Sequence, residues 1–323
     1  MKSYCDSDLD EICSHSSLFM STFKNRTILV AGGTGFVGSW LLATFEFMNS
    51  NYSSNIKVTS LSRNFSQEAK DNFPNTNFLA LDLAKTELEL KLRADLLINA
   101  ATPSTSAHGG EDPSQILNAS ILGTKKLLEL SRLGSKPTFI NLSSGIVSKR
   151  ILDSSLDLST GRDSYLEGKR VSEDLVASYT TEGIVYGKNL RLFAFAGPGI
   201  PLLEHFAVGN FLNDAVHNRP IEIKGNPQTV RSYLYPTDLI INILECSSGT
   251  NSAVCEIGSF NTVTMQQLAT IINNVTGNSE INQSSTFGPI DEYFPKVKND
   301  NFYQNVELPE AISRWKNWLE SPA

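Results

Sequence analysis

The chain is short of the residues that would place it in several functional classes. Its 323 residues include four cysteines (Cys5, Cys13, Cys246 and Cys255) and four histidines. With no C-x-x-C pair and no dense cysteine framework, a disulfide scaffold is excluded and reduced thiols are expected. The same scarcity leaves no His/Cys cluster at ligand spacing, so no metal site is expected. There is no run of Lys or Arg and the net charge is -7, which argues against a nucleic-acid partner or a membrane surface. No apolar run approaches the roughly 20 residues that a bilayer span needs. Residues 1–22 have neither the basic start nor the apolar centre of a targeting peptide, so a cytoplasmic location is expected. At 40% hydrophobic and 19% charged residues, the balance is that of a globular protein.

What is present is an alternation of strand-like and helix-like segments. Thr27–Ala31, Ile56–Leu61, Asn77–Leu81, Asp95–Asn99, Thr138–Leu142 and Leu190–Phe195 read as short buried strands. Val37–Phe47, Pro113–Leu133 and Asp163–Tyr179 between them carry helical periodicity. The pattern predicts an α/β protein, a Rossmann-type doubly wound parallel sheet with a smaller C-terminal substrate-binding lobe. Further strands near Tyr233 and Val254 are expected to rejoin the sheet. The expected division is an N-terminal accessory segment with a short helix over 1–22, and a dinucleotide-binding domain over 23–195 plus about 232–260. The lobe would take 196–231 and 261–323.

The sharpest local signal is Gly32-Gly33-Thr34-Gly35-Phe36-Val37-Gly38, which closes an apolar strand and opens an amphipathic helix. In that context G-x-G-x-x-G marks a dinucleotide site, because glycine lets the backbone approach a pyrophosphate and the helix N-terminus offers unpaired N–H groups. No Lys-Ser/Thr follows, so a triphosphate loop is excluded. The second strand ends Ser60-Leu61-Ser62-Arg63-Asn64, without the carboxylate that binds the ribose 2′-hydroxyl of NAD. Arg63 suits a 2′-phosphate, so the reading is NADP over NAD, with a solvated surface arginine as the alternative. Asp82-Leu83 follows the third strand and is placed for the adenine amino group. Ala100-Ala101-Thr102 ends the fourth with small residues, against which a nicotinamide ribose can lie.

Tyr165-Leu166-Glu167-Gly168-Lys169 puts a phenol and an ammonium one helical turn apart. A cation beside a phenol favours the tyrosinate, a base for an alcohol that loses hydride and, once protonated, an acid for a ketone that gains it. The spacing arises readily by chance in a chain with nine tyrosines. Its weight comes from following Asn141-Leu142-Ser143-Ser144, a hydroxyl pair at a strand's carboxyl end, where open parallel sheets bind ligands.

With these pieces in order, the chain resembles the extended short-chain dehydrogenases/reductases of the nucleotide-sugar epimerase/dehydratase family, from Thr27 to Trp318. Leu190-Arg191-x-Phe193 through Gly197-Pro198 also matches, as does Val230-Arg231-Ser232-Tyr233-Leu234-Tyr235-Pro236-Thr237-Asp238, which is similar to the family's arginine-led strand. The resemblance implies catalysis by Ser144, Tyr165 and Lys169. It implies a cofactor held by Gly32, Thr34, Gly35, Phe36, Val37, Gly38, Ser62, Arg63, Asp82, Leu83, Ala100, Ala101, Thr102, Ser120 and Phe193. A nucleotide-diphosphate sugar would be held by Ser144, Asn210 and Arg231, with Arg231 on the diphosphate; a structural role for Asn210 stays open. A homodimer built on helices 113–133 and 163–179 is implied as well.

The chain also departs from the family. The usual Tyr-Gly after the active-site strand is Ser148-Lys149, Ser120 replaces an Asn, and Ala194 replaces another. The Asp-Glu pair of sugar dehydratases is Gly145-Ile146, which cannot move a proton, and uronic-acid decarboxylases also tend to carry a Glu there. The expectation is therefore an epimerase acting through a transient keto sugar. The alternatives are an NADPH-dependent reductase of a 4-keto nucleotide sugar, a dehydratase, and a non-catalytic dinucleotide-binding sensor.

Overall fold

The computed structural model describes residues 4–15, 17–85, 92–101, 112–149, 160–202, 206–250, 253–277, 280–284, 288–299 and 301–321. In chain order its helices are α1 (Asp6–Ser14), α2 (Ser17–Phe23), α3 (Phe36–Tyr52), α4 (Gln67–Asn72), α5 (Pro113–Leu130), α6 (Gly145–Lys149), α7 (Gly161–Thr181), α8 (Ala207–Val216), α9 (Pro236–Ser248), α10 (Met265–Thr276) and α11 (Leu308–Glu320). Its strands are β1 (Thr27–Ala31), β2 (Lys57–Ser62), β3 (Thr76–Ala80), β4 (Leu96–Asn99), β5 (Thr138–Ser144), β6 (Tyr186–Leu192), β7 (Ile221–Ile223), β8 (Val230–Ser232), β9 (Ala253–Ile257), β10 (Thr262–Thr264), β11 (Ile281–Gln283) and β12 (Glu292–Tyr293). The residues form two compact units, Met1–Arg191 with Ile240–Cys255, and Leu192–Leu239 with Glu256–Ala323.

The main sheet has seven strands in the order β3-β2-β1-β4-β5-β6-β9. From β3 through β5 every pairing is parallel. The chain winds outward from β1 to β3, then restarts at β4 and winds the other way, so the switch point falls between β1 and β4. Ligands bind at such a crevice, beyond the carboxyl ends of the strands. Central strands are apolar because both faces are covered: β4 and β5 are buried throughout, whereas the edge strand β3 is half-exposed. Local chemistry starts the helices that cover them. Asp112 caps α5 by accepting from Ser114 N–H at 3.0 Å, with Pro113 in the first turn. Thr160 caps α7 through Asp163 N–H.

Two helices, rather than one, precede β1. Tyr4, just ahead of α1, stacks on Trp40 of α3 with ring centroids 4.0 Å apart, and its hydroxyl meets Ser39 at 2.7 Å. The accessory segment is thus part of the first unit. Strand β6 begins at Tyr186, four residues before the apolar run suggests, because Lys188 and Asn189 are buried with hydrogen-bond partners. The strand expected to rejoin the main sheet near Tyr233 does not do so. In the second unit, β8 lies between β10 and β12 in a three-stranded sheet, and only Leu234 makes an isolated bridge, to Phe195. Pro236 ends that stretch by opening α9, since its ring fixes φ and supplies no N–H for a ladder. A parallel pair, β7 and β11, completes the smaller sheets. No helix among the described residues is long and apolar enough to cross a membrane.

Candidate active site

The glycine turn forms at the switch point. Gly32 has φ +81°, a left-handed conformation open to glycine, and its N–H donates to Leu61 O at 2.7 Å. A Cβ on Gly38, in the first turn of α3, would fall 2.1 Å from the Gly32 carbonyl. Only glycine lets the helix start so close to the turn. The α3 N-terminus has no side-chain cap, so its first N–H groups have no intrahelical acceptor. The turn that holds Thr34, Gly35, Phe36 and Val37 therefore presents backbone donors and a positive helix end to an anion.

At the end of β2, Ser60 and Ser62 are buried and neither hydroxyl has a hydrogen-bond partner. Arg63 follows on the surface. The Asp82 carboxylate accepts from Ala84 N–H at 3.0 Å and shapes the turn after β3, and Leu83 is buried there against Gly123 of α5. Ala100 donates its N–H to Ala31 O, which keeps the ends of β1 and β4 together. Ala101 is half-buried beside it, and Thr102 lies outside the described residues. The side chain of Ser120 donates to Ile116 O within α5 and packs beneath Gly168 of α7. The residues present fit a dinucleotide: the glycine turn offers backbone donors to a pyrophosphate, and the buried Ser62 hydroxyl has no partner within the protein.

Ser144, Tyr165 and Lys169, the residues expected to handle protons, gather at the end of β5. Ser144 is its last residue, buried, and its Oγ accepts from Ile146 N–H at 3.3 Å as α6 begins. Lys169 on α7 is buried, and its Nζ donates to Leu142 O at 2.5 Å. Leu142 and Ser144 point to the same face of the strand. The same ammonium lies 5.7 Å from the centroid of the Tyr165 ring. Burial lowers the Lys169 pKa to about 7, while the charge of Glu173 works in the opposite direction.

Beneath this site lies an ion pair to which sequence reasoning gave no role. Arg191 on β6 grips Glu173 through two nitrogens, at 2.6 and 2.9 Å, with both side chains largely buried. Ser143 donates to the same carboxylate at 2.5 Å, and Arg191 reaches Ser148 of α6 at 3.3 Å. Ser148, read in the sequence as a loss, is a partner of that arginine. A second buried row crosses the sheet. Asn99 Nδ2 donates to Asn141 Oδ1 and to Thr124, Asn141 Nδ2 donates to Asn189 Oδ1, and Asn189 Nδ2 donates to Glu173 O. The available signal was three asparagines inside consecutive strands, where asparagine is otherwise scarce.

Phe193, Asn210 and Arg231 belong to the second unit. Phe193 is buried, with its ring 5.0 Å from that of Tyr293. Asn210 is half-buried in α8. The Arg231 guanidinium donates to the Asp291 carboxylate at 2.7 Å and to the Asp291 and Val230 carbonyls. Asp291 thus balances the charge expected to meet a diphosphate. Among the described residues no cluster of three or more His, Cys, Asp or Glu is placed to hold a metal ion.

The doubly wound sheet, the glycine turn at its switch point, and a serine, tyrosine and lysine at the end of β5 define an extended short-chain dehydrogenase/reductase. Residues 28–246 match the model of the NAD dependent epimerase/dehydratase family, and the chain belongs to that family. A UDP-glucuronic acid decarboxylase of Arabidopsis thaliana is 23% identical over 296 residues, covering 89% of this chain and 64% of its own length. The chain therefore spans about two thirds of that relative. Among solved structures, the Bordetella bronchiseptica enzyme WbmF in complex with NAD+ and UDP shares the fold with a TM-score of 0.76 at 19% identity, over 93% of both chains. UDP-glucose 4-epimerase of Thermotoga maritima, solved with UDP-glucose, gives 0.72 at 18% identity, over 91% of this chain and 98% of its own.

Proposed function

We propose that this protein is a nucleotide-sugar epimerase that works through a transient keto sugar. The observation that carries the reading is Lys169, buried between Leu142 of β5 and the Tyr165 ring, two residues along the strand from Ser144. In this reading Tyr165, as tyrosinate, takes the proton of a sugar hydroxyl at C4. Ser144 donates to that oxygen as it becomes a carbonyl. Lys169 supplies the positive charge that favours the tyrosinate. A nicotinamide dinucleotide held by the glycine turn would supply reversible hydride transfer for this chemistry. Arg231 would hold the diphosphate, so that binding energy from the remote nucleotide positions the reacting carbon.

Decarboxylation of a nucleotide-linked uronic acid is the second reading, favoured by the name of the Arabidopsis relative. It shares the first oxidation. Gly145 and Ile146, directly after Ser144, supply no carboxylate for it. On the cofactor, WbmF was solved with NAD+, and this supports NAD as the first choice over the NADP that Arg63 suggests. A homodimer through α5 and α7 and a cytoplasmic location complete the proposal.

The test is a thermal-shift screen of UDP-, dTDP-, GDP- and CDP-sugars with NAD or NADP, followed by product analysis of each hit. A true ligand raises the melting point by mass action. An epimerase returns an isomer of equal mass with cofactor retained through purification. Release of carbon dioxide from a uronic acid would establish the decarboxylase instead, and net consumption of NADPH a reductase. If Arg63→Ala lowers NADP affinity and leaves NAD affinity unchanged, the choice of NAD is reversed. A monomer at micromolar concentration in light scattering counts against the dimer.

A further inference from the structure

The chemistry above leaves the accessory segment ahead of β1 without a role. That segment packs on α3, the helix that the glycine turn opens. Leu9, Ile12 and Cys13 of α1 are buried. The Asp10 carboxylate accepts from the hydroxyl of Tyr52, the last residue of α3, at 2.7 Å. Near the other end of α3 stands Tyr4, whose ring stacks on Trp40 with centroids 4.0 Å apart. Its hydroxyl meets Ser39 Oγ at 2.7 Å, and Tyr4, Ser39 and Trp40 are all buried.

Ser39 closes the first turn of α3. Its N–H donates to Gly35 O at 2.8 Å, and its hydroxyl donates to Phe36 O at 3.0 Å. A serine hydroxyl has one proton to give, so the Tyr4 hydroxyl is the donor in the bond between the two side chains. Burial pushes the Tyr4 phenol up to about 12, against the Ser39 hydrogen bond, so this donor keeps its proton at neutral pH. A chain of hydrogen bonds thus runs from the accessory segment through Ser39 to the Phe36 carbonyl. It ends in the turn whose backbone donors would meet a pyrophosphate. Gly35, at the start of that turn, provides no side-chain cap, and an uncapped helix end is the part most ready to fray.

We propose that Tyr4 is a positioning residue for the dinucleotide: through Ser39 it holds the first turn of α3 in the conformation that receives the pyrophosphate. A turn held in advance needs less ordering when the anion binds, so the brace raises affinity without touching the ligand. The stack on Trp40 fixes where the Tyr4 hydroxyl sits, and the bond from Tyr52 to Asp10 anchors the far side of the segment. This role rests on the dinucleotide part of the function proposed above and is indifferent to which sugar reacts.

The experiment compares the full chain with Tyr4→Phe, Ser39→Ala and the double variant, by calorimetric titration with NAD and NADP well below the melting temperature. Tyr4→Phe keeps the stack on Trp40 and removes only the donor. It should bind the dinucleotide that wild type prefers about three- to tenfold more weakly, the scale of a single hydrogen bond. Ser39→Ala should lose about as much, and the double variant no more than either, since both break the same chain. Hydrogen exchange of the cofactor-free proteins separates positioning from packing. In Tyr4→Phe the amides of Ser39 and Trp40 should exchange faster while those of β5 keep wild-type protection, whereas a general loss of stability would speed both. Should one single variant fail to fold, the other decides the matter on the same two measurements. The proposal is overturned if Tyr4→Phe keeps wild-type affinity or wild-type exchange at Ser39 and Trp40, or if β5 loosens equally. It is also overturned if the two losses multiply in the double variant. Wild-type protein that binds neither NAD nor NADP would overturn the dinucleotide reading itself, and the role of Tyr4 with it.

Discussion

The two halves of the main sheet treat buried polar groups in opposite ways. On the β1–β2 side, the backbone of the glycine turn supplies the donors, and the hydroxyls of Ser60 and Ser62 are buried without partners. On the β4–β6 side, Asn99, Asn141, Asn189, Ser143, Glu173 and Arg191 are joined in one connected set of hydrogen bonds. Leaving a buried hydroxyl unpaired costs about 1–3 kcal/mol, a penalty that a ligand offering a partner would relieve. The second side is satisfied within the protein, as suits the proposed site, which must hold a lysine and a serine in place. In the proposed function the first side is the receiving side, for the cofactor, and the second the acting side, for the proton.

The largest expected effect breaks the acting side at its reactive atom. Tyr165→Phe removes the titrating oxygen and little else, so turnover on the substrate found by the screen should fall by about 10²–10⁴ or more. Cofactor and nucleotide-sugar affinities, read by calorimetry, should stay near wild type. A variant that keeps most of its turnover would reduce the Tyr165–Lys169 pair to a packing contact.

Next in size is the ion pair beneath the site. Glu173→Ala leaves Arg191 buried without its carboxylate, and removing one partner of such a pair costs about 3–5 kcal/mol. The denaturant midpoint should drop accordingly, with the loss shared by Ser143 and Ser148, which contact the pair. A drop below about 1 kcal/mol would mean that water replaces the carboxylate, and the acting side would be less rigid than its hydrogen bonds imply.

A third experiment follows the charge on Lys169. Its folded pKa lies near 7, below the ordinary lysine value of 10.5, so the unfolded chain binds more protons between those values. The penalty of burying the ammonium is thus complete below about pH 7 and is relieved as pH rises towards 10.5. Lys169→Met, which keeps the bulk and drops the charge, should exceed wild type in stability most at about pH 7 and least at about pH 9. The measurement is the difference in urea midpoint between the two proteins at each pH, in cofactor-free protein. A gap that stays constant with pH would contradict the burial of a charged lysine.

How far the sequence shows these differences depends on whether the pattern is local. Strand β1 falls on Thr27–Ala31 as read, and the glycine turn follows it, because both are written in consecutive residues. The start of β6 is not legible, because Lys188 and Asn189 look like loop residues until their buried partners are known. Glu173 and Arg191 pair across 18 residues and two elements, so nothing local marks them beyond a glutamate one turn after Lys169. Arg231 was legible as a cation, but its neutralising Asp291 lies 60 residues away and enters only with the fold.

The smallest effect tests the receiving side, at Ser62. In cofactor-free protein its hydroxyl is buried and unsatisfied, so Ser62→Ala removes a desolvated group and makes no new cavity larger than an oxygen. Cofactor-free stability should rise by about 1 kcal/mol. If a ribose hydroxyl is the missing partner, the same change should weaken dinucleotide binding by about tenfold, since a hydrogen bond contributes roughly 0.5–1.5 kcal/mol net. The two signs must appear together: a gain in melting temperature without cofactor and a loss of affinity with it. Ser143→Ala on the acting side should behave differently, because its hydroxyl donates to Glu173. It should lower stability and leave dinucleotide affinity unchanged. If Ser62→Ala also destabilises and leaves affinity intact, then the two halves of the sheet do not differ in the way their hydrogen bonds suggest, and the ribose bonds elsewhere.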